Sequence, residues 1–176
     1  MLIFLVGYAG SGKSSMGRRL ARRLGVPFVD TDQRVEASEG ASVADIFHYQ
    51  GEEYFRRLER EVIEQIVDES IHAVVSTGGG LPTWEDNMAW MNSRGVTVYL
   101  RRSAEQIIAR MSPYGREKRP MFRGKSDEEL LAFMTAHMAE RESFYAEARV
   151  DVDCNAMSDY QVQEYIVTRL ISLNEE

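Results

Sequence analysis

The chain has 176 residues, of which 44% are hydrophobic, and this is enough for one compact domain with a substantial core. Its formal net charge of −7 disfavours a general nucleic-acid binder, and no apolar run approaches the length that would span a membrane. The single cysteine, Cys154, excludes an internal disulfide and is typical of a reducing cytoplasm. We therefore expect one cytoplasmic domain over residues 1–176 that binds neither nucleic acid nor membranes.

The chain begins with an apolar run, MLIFLV, that leads directly into GYAGSGKSS at residues 7–15. The run is short and lacks a basic n-region, so it is interpreted as a core strand and not as a signal peptide. The spacing G-x-x-x-x-G-K-[ST] is met at Gly7, Gly12, Lys13 and Ser14, between a strand and a helix, as a phosphate-binding loop requires. Glycines let successive N–H groups face an anion, the lysine adds charge and the serine offers a hydroxyl to Mg²⁺. The alternative, a chance glycine-rich turn, is disfavoured by this combination.

Strands and helices alternate along the rest of the chain. After a helix that Gly25 ends, the predicted strands are 26–30, 73–76, 96–100 and 149–154. The other predicted helices are 52–68, about 85–93, 103–111, 127–145 and 158–173. Continuous apolar strands are typical of a parallel sheet that is covered on both faces. The pattern predicts an α/β fold, a three-layer α/β/α sandwich with a five-stranded parallel sheet and ligands at the carboxyl ends of its strands.

One stretch, SPYGREKRPMFRGKS at residues 112–126, resists assignment. Its two prolines and two glycines are expected to exclude regular structure. Five basic residues, of which Arg119 is one, oppose the single Glu117. In an acidic chain with a phosphate loop, this favours a mobile lid at about 112–125 that closes over phosphates, against the alternative of a merely solvated loop.

Two motifs follow predicted strands at the ligand edge of the sheet. The DTD motif places Asp30 and Asp32 after the second strand, where each could serve a ligand or cap the next helix, and for either alone the two interpretations are even. The STGGG motif follows the third strand, and its glycines at 78–80 would let a ligand approach the backbone closely. A flexible turn is the alternative there.

A charge also stands on an otherwise apolar helical stripe. Arg141 shares this stripe with Leu130, Met134, Met138 and Tyr145. A charge on a core-facing stripe needs a partner, unless the side chain extends to the surface. Its joint occurrence with the motifs above favours a ligand site.

In their order and spacing these motifs resemble shikimate kinases over essentially the full length of the chain. The matching elements are GYAGSGKSS, DTD, FRRLE at 55–59, GGG at 78–80, RP at 119–120 and the ER that ends at Arg141. The resemblance implies Mg²⁺-assisted transfer of the ATP γ-phosphoryl group to the 3-hydroxyl of shikimate, in aromatic amino-acid biosynthesis. It also implies a lid, a substrate-binding helical region at about 32–60 and a monomer.

The resemblance implies roles for residues on the nucleotide side. Those that would hold the ATP phosphates are Gly10, Ser11, Gly12, Lys13, Ser14 and Ser15. Ser14 would bind Mg²⁺, with Asp30 supporting it through water. Arg119 of the lid would reach the phosphates and, with Lys13, take part in catalysis. Arg110 and Asn155 would flank the adenine.

It also implies a second set of residues on the substrate side. Asp32 would bind the shikimate hydroxyls and serve as the catalytic base. Arg56 and Arg141 would hold the carboxylate, and Glu59 would orient Arg56 from one helical turn away. The glycines that would line this pocket are Gly78, Gly79 and Gly80. These residue types suit the chemistry of shikimate, because a guanidinium group can bind a carboxylate through two hydrogen bonds and a carboxylate can accept hydrogen bonds from hydroxyls.

Some residues depart from the family pattern. Met121 and Phe122 follow the lid RP where two aliphatic residues are common, and Leu81 follows GGG where a smaller residue is frequent. The third strand ends in Ser76 and not in an aspartate, which shifts metal support toward Asp30.

Two other functions are compatible with a phosphate loop. Another small-molecule kinase, such as a gluconate kinase, would have no particular use for the combination of Asp32, Arg56 and Arg141. A non-catalytic regulatory module that binds nucleoside triphosphates belongs to a different class, and a guanine-reading N-K-x-D motif is absent from the sequence.

Overall fold

The computed structural model describes residues 1–69 and 72–175. Its strands form one parallel sheet in the order β2-β3-β1-β4-β5. They are β1 (Leu2–Val6), β2 (Phe28–Asp30), β3 (Ala73–Ser76), β4 (Val96–Arg101) and β5 (Val150–Asp153). The predicted five-stranded parallel sheet is confirmed, and β4 runs one residue beyond its predicted end.

Helices fill the connections between the strands, and one more helix follows the last strand. They are α1 (Lys13–Leu24), α2 (Thr31–Glu39), α3 (Val43–Gln50), α4 (Glu52–Glu69), α5 (Asn87–Arg94), α6 (Ala104–Arg110), α7 (Pro113–Glu117), α8 (Asp127–Tyr145) and α9 (Asp159–Glu175). Within the described ranges, no helix is both long and apolar enough to cross a bilayer.

The sheet is buried on both faces, and β1 shows why. Leu2, Phe4 and Val6 join one core cluster, whereas Ile3 and Leu5 join the other, because successive side chains of a strand point to opposite faces. Helices α1 and α9 supply the second cluster, and helices α4, α5, α6 and α8 supply the first. This is the predicted three-layer α/β/α arrangement.

The stretch 112–126 is more ordered in secondary structure than the sequence predicts. The short helix α7 begins at Pro113, and the Ser112 hydroxyl caps it by accepting the Gly115 N–H at 3.0 Å. A 3-10 turn follows at Pro120–Phe122. The expectation that prolines exclude regular structure here is wrong, because proline is well accommodated in the first turn of a helix, where its missing N–H would have no partner.

Candidate active site

The loop of residues 7–15, hereafter the phosphate loop, joins β1 to α1 along a path that requires glycine. Gly7 and Gly12 have φ angles of +140° and +97°, which L side chains rarely adopt. A Cβ on Gly7 would also stand 2.9 Å from the Leu100 carbonyl oxygen. The conformational reason for the motif glycines is therefore confirmed at these positions.

Lys13 folds back across this loop. Its Nζ donates to the carbonyl oxygens of Gly7 and Tyr8 at 2.7 and 2.9 Å. Burial lowers the pKa of Lys13 to about 8, against the opposing effect of the Asp32 carboxylate. The ammonium group is thus buried at the head of α1, where the loop and the helix N-terminus both favour an anion.

Oxygen atoms from three elements meet beside Ser14. Its hydroxyl donates to Asp30 Oδ2 at 2.7 Å and lies 3.2 Å from the Ser76 hydroxyl. Asp30 also caps α2, because its Oδ1 accepts the N–H groups of Asp32 and Gln33. Asp30 therefore fills the capping role that the sequence left open, while its other oxygen contacts Ser14. Ser76, which sequence reasoning noted only for the carboxylate it lacks, belongs to the same group.

Asp32 occupies the junction between the phosphate loop and the glycine motif. Burial raises its pKa to about 6, and the neighbouring Lys13 and Arg56 oppose that rise. Its Oδ1 would lie 2.8 Å from a Cβ on Gly78, and Glu59 Oε1 would lie 2.4 Å from the same point. A side chain on Gly78 would displace one or both of these carboxylates from the space that they occupy.

Arg56 and Glu59 form a buried ion pair one helical turn apart on α4. Their Nη1 and Oε2 atoms are 2.5 Å apart, and the two side chains are only 8% and 1% exposed. Burial raises the pKa of Glu59 to about 7. Its other oxygen, Oε1, has no hydrogen-bond partner among the described residues. Gly80 leaves room for the guanidinium group, since a Cβ there would stand 2.1 Å from Arg56 Nη2.

Arg141 reaches the other side of the glycine motif. Its guanidinium carbon is 6.0 Å from the centre of the Tyr8 ring, and no carboxylate lies within ion-pair distance of it in residues 1–69 and 72–175. The positive charge of Arg141 opposes the rise that burial causes in the pKa of Tyr145, whose hydroxyl donates to the Gly79 carbonyl oxygen at 2.6 Å. Sequence reasoning placed Tyr145 only in the core, and its position at the end of the Arg141 stripe was the available signal.

A cavity of about 360 Å³ opens beside the phosphate loop. Among the residues that line it are Gly10, Gly12, Lys13, Ser14, Ser15, Asp30, Asp32, Ser76, Gly78, Gly79, Arg110 and Arg119. Arg56, Glu59, Gly80 and Arg141 lie outside this lining. The two sets meet at Gly78, where Asp32 and Glu59 approach each other.

The stretch 112–125, for which the sequence predicts a lid, packs against the phosphate loop. Arg119 lines the cavity and donates to the Gly115 carbonyl oxygen at 2.6 Å, and burial lowers its pKa. Within residues 112–125, all described, Phe122 alone is buried, and its ring stacks on Tyr8 at a centroid distance of 6.4 Å. The Tyr8 hydroxyl is 2.8 Å from His137 Nδ1 on α8.

The two residues predicted beside the adenine differ in position. Arg110 lines the cavity and pairs with Asp159 at 3.1 Å. Asn155 is absent from the described lining, and its side chain joins the end of β5 to the residues that follow β4. Its Oδ1 accepts the Ser103 N–H, and its Nδ2 donates to Asp153 Oδ1, both at 2.8 Å.

A phosphate loop at the carboxyl edge of a parallel sheet, with basic residues of the stretch 112–126 beside it, is typical of a P-loop kinase. A family model described as shikimate kinase matches residues 9–171. The shikimate kinase of Bacteroides thetaiotaomicron is 37% identical over 173 residues, which cover 98% of each chain. The chain belongs to the shikimate kinase family.

Solved structures agree with this assignment. A crystal structure of shikimate kinase from Bacteroides thetaiotaomicron has a TM-score of 0.87 at 36% identity and covers 100% of this chain and 99% of its own. Shikimate kinase from Acinetobacter baumannii in complex with shikimate has a TM-score of 0.84 at 29% identity, with coverage of 99% and 95%. The predicted shikimate kinase activity, with its place in aromatic amino-acid biosynthesis, is confirmed over the gluconate kinase and regulatory-module alternatives.

Proposed function

We propose that ATP binds in the phosphate loop and that shikimate binds beside it, in an acceptor pocket formed by Asp32, Arg56, Glu59, Gly78–Gly80 and Arg141. The observation that carries this proposal is the position of Asp32. Its carboxylate faces the nucleotide cavity and also approaches Glu59 across Gly78. A group at this junction is the one that can touch an acceptor hydroxyl and lie close to a transferring phosphoryl group.

On the nucleotide side, backbone N–H groups of Gly10 to Ser15 would surround the phosphates. Lys13 would exchange its two carbonyl acceptors for phosphate oxygens, which carry full negative charge and bind an ammonium group more strongly. Arg119 would supply a second cation from the lid, and Arg110 would flank the adenine. The contact of Asn155 with adenine stays a prediction.

Mg²⁺ is the metal that the oxygen ligands around Ser14 suit. Magnesium prefers hard oxygen ligands and usually takes only one or two from protein, the rest being water and phosphate. Ser14 would bind the ion and Asp30 would support it, with Ser76 beside them. When bound, Mg²⁺ supplies neutralisation of the phosphate charge that develops during transfer.

The acceptor pocket would orient shikimate by its two ends. Arg56 and Arg141 would bind the carboxylate, and Arg141 has no competing carboxylate partner in the described chain. At the other end, the 3-hydroxyl oxygen would form a bond to the γ-phosphorus while the bond to the β,γ-bridging oxygen breaks and ADP leaves. The hydroxyl proton would pass to Asp32, which is mostly ionised at neutral pH because its pKa of about 6 lies below 7.

Acceptor analogues test this orientation in a coupled ADP-release assay. Shikimate methyl ester lacks the carboxylate, so we expect it to be phosphorylated with a KM at least about tenfold higher. 3-Deoxyshikimate lacks the accepting hydroxyl and should give no turnover, and gluconate serves as a control that lacks the ring. Equal KM values for the ester and the acid would contradict the binding of the carboxylate by Arg56 and Arg141. Turnover that persists in EDTA would contradict the magnesium site.

Three broader statements stay predictions for this chain: a single domain over residues 1–176, a cytoplasmic location and a monomeric state. The buried free thiol of Cys154 supports a reducing compartment. Light scattering during size-exclusion chromatography measures the molar mass of the protein in solution and so tests the monomeric state directly.

A further inference from the structure

Arg102, at the end of β4, is a buried cation outside the proposed site residues. Its side chain is 4% exposed. Its Nε donates to the Ser11 carbonyl oxygen at 3.0 Å, and its Nη1 donates to the Cys154 carbonyl oxygen at 3.1 Å. Its third nitrogen, Nη2, lies 3.5 Å from Asp159 Oδ1. Arg102 therefore connects the phosphate loop to the end of β5 and to the start of α9.

The contact with Ser11 fixes one peptide plane of the phosphate loop. The backbone hydrogen bond that begins α1 runs from Met16 N–H to the Gly12 carbonyl oxygen, so the Ser11 carbonyl lies one residue before the helix ladder. In a trans peptide the C=O and the next N–H point in opposite directions. Gly12 lines the nucleotide cavity, whereas Ser11 and Arg102 do not. Holding the Ser11 oxygen on the Arg102 side thus holds the Gly12 N–H on the opposite side, toward the cavity.

A second connection runs through Asp159. Its carboxylate accepts from Arg102 and from Arg110, and Arg110 lines the cavity. Arg19 of α1 lies 3.7 Å from the same carboxylate. The Asp159 carboxylate therefore contacts both Arg102, which fixes the phosphate loop, and Arg110, which is proposed to flank the adenine.

We infer that Arg102 is a positioning residue for the nucleotide, a role that rests on the proposed binding of ATP phosphates by the phosphate loop. Arg102 does not line the cavity; it sets the direction of the Gly12 N–H and adds a buried positive charge behind the loop. Because the Gly12 N–H already points toward the cavity, less conformational entropy is lost when phosphate binds, and this increases the affinity for ATP. The acceptor pocket makes no contact with Arg102, so shikimate affinity should be independent of it.

The test compares Arg102→Gln with Arg101→Gln in the full chain. Arg101 is the adjacent residue, is 38% exposed and pairs only with Asp151 and Asp153 in the described chain, so it controls for loss of one arginine at this strand end. ATP and shikimate are each titrated calorimetrically, and the melting temperature is recorded. We expect Arg102→Gln to weaken ATP binding about tenfold or more while shikimate affinity and the kcat at saturating ATP stay close to the parent values. Arg101→Gln should leave both affinities unchanged.

Two outcomes would overturn the inference. One is an ATP affinity in folded Arg102→Gln equal to that of Arg101→Gln, and the other is a parallel loss of ATP and shikimate affinity, which indicates a merely structural role. If Arg102→Gln does not fold, Arg102→Lys decides, because it keeps the charge but cannot span the Ser11 and Cys154 carbonyls together. Weaker ATP binding with unchanged shikimate binding in that variant supports the inference, and unchanged ATP binding overturns it. Titration needs no turnover, so a parent protein that binds ATP without phosphorylating shikimate would contradict the proposed function alone.

Discussion

The phosphate loop and the acceptor pocket are built in different ways. The loop is one continuous stretch whose shape comes from its own backbone, and its charged residue, Lys13, is satisfied by two carbonyls of the same stretch. The pocket gathers residues from α2, α4, α8 and the turn after β3, and these elements are distant from one another in sequence. Arg56 is held by Glu59, whereas Arg141 has no carboxylate partner in the described chain. Under the proposed function, the local site would supply charge for phosphoryl transfer, and the assembled site would supply selectivity for the acceptor.

Lys13→Ala should have the largest effect, because it removes the loop's only side-chain cation. We expect turnover to be almost abolished, because loss of one uncharged donor to developing charge already lowers kcat by about 10²–10³-fold and Lys13 also carries a full charge. Lys13 belongs to neither core cluster, so the variant should fold and should still bind shikimate. The measurements are coupled ADP release, a shikimate titration and a melting curve. Near-normal turnover in a folded variant would refute the phosphate-loop assignment.

Asp32→Asn tests the point where the two regions meet. Asparagine can position a hydroxyl but cannot accept its proton, so we expect the transfer step to slow by about 10²–10⁴-fold with ATP binding nearly unchanged. Rapid-quench measurement of a single turnover separates this step from lid opening. A transfer rate close to that of the parent would leave Asp32 as a binding residue only, as a loose transition state permits.

Arg56 and Arg141, which are proposed to bind the carboxylate, should differ in how much their loss lowers the stability of the protein. Arg56→Ala and Arg141→Ala should each weaken shikimate binding by roughly 2–5 kcal/mol, with little change for ATP. Arg56→Ala also leaves Glu59 buried without its partner, which typically costs about 3–5 kcal/mol of unfolding free energy. Arg141→Ala breaks no carboxylate pair in the described chain and should melt near the parent temperature. Calorimetry and thermal unfolding measure both effects, and a loss of ATP affinity instead would assign the arginines to the nucleotide site.

A change of pH should have the smallest effect on activity, and one titrating group in each region governs it: Lys13 in the phosphate loop and Asp32 in the acceptor pocket. Burial raises the pKa of Asp32 to about 6 and lowers that of Lys13 to about 8. A base must be unprotonated and a phosphate-binding amine protonated, so activity is lost below the first value and above the second. We expect a bell-shaped kcat/KM that falls about tenfold per pH unit outside these limits. Asp32→Asn should remove the acid limb, and an acid limb that persists would belong to another group, such as Glu59.

The difference between the two regions also explains what the sequence could predict. The phosphate loop, the parallel sheet and the long helices follow from contiguous motifs and periodic apolar runs. Helices α2 and α3 came only from the family resemblance, because α2 buries just Thr31 and Val35 and so has little apolar periodicity. Ser76 and Tyr145 were missed as site neighbours since only the assembled sheet edge brings them there.

Asn155 marks the opposite case, a residue that the resemblance places at the nucleotide and whose contacts point elsewhere. Its side chain fixes the turn after β5 through the Ser103 N–H and the Asp153 carboxylate. Arg102 gave no sequence signal at all. Its contact with Ser11 joins residues 91 positions apart, and no local pattern encodes that distance.

The burial of Phe122 against Tyr8 bears on how long products stay bound. Raising the lid would expose a phenyl ring, and the burial of such a ring is worth about 1.5–3 kcal/mol. If residues 112–125 act as a lid, a ring contact of this kind would lengthen the dwell time of the closed form by about ten- to a hundredfold, with reclosing unaffected. Phe122 stands where the family commonly has an aliphatic residue. We therefore expect the maximal kcat of this enzyme to depend on the size of the side chain at position 122. Release of ADP, and not the transfer itself, is the step that such a side chain would govern.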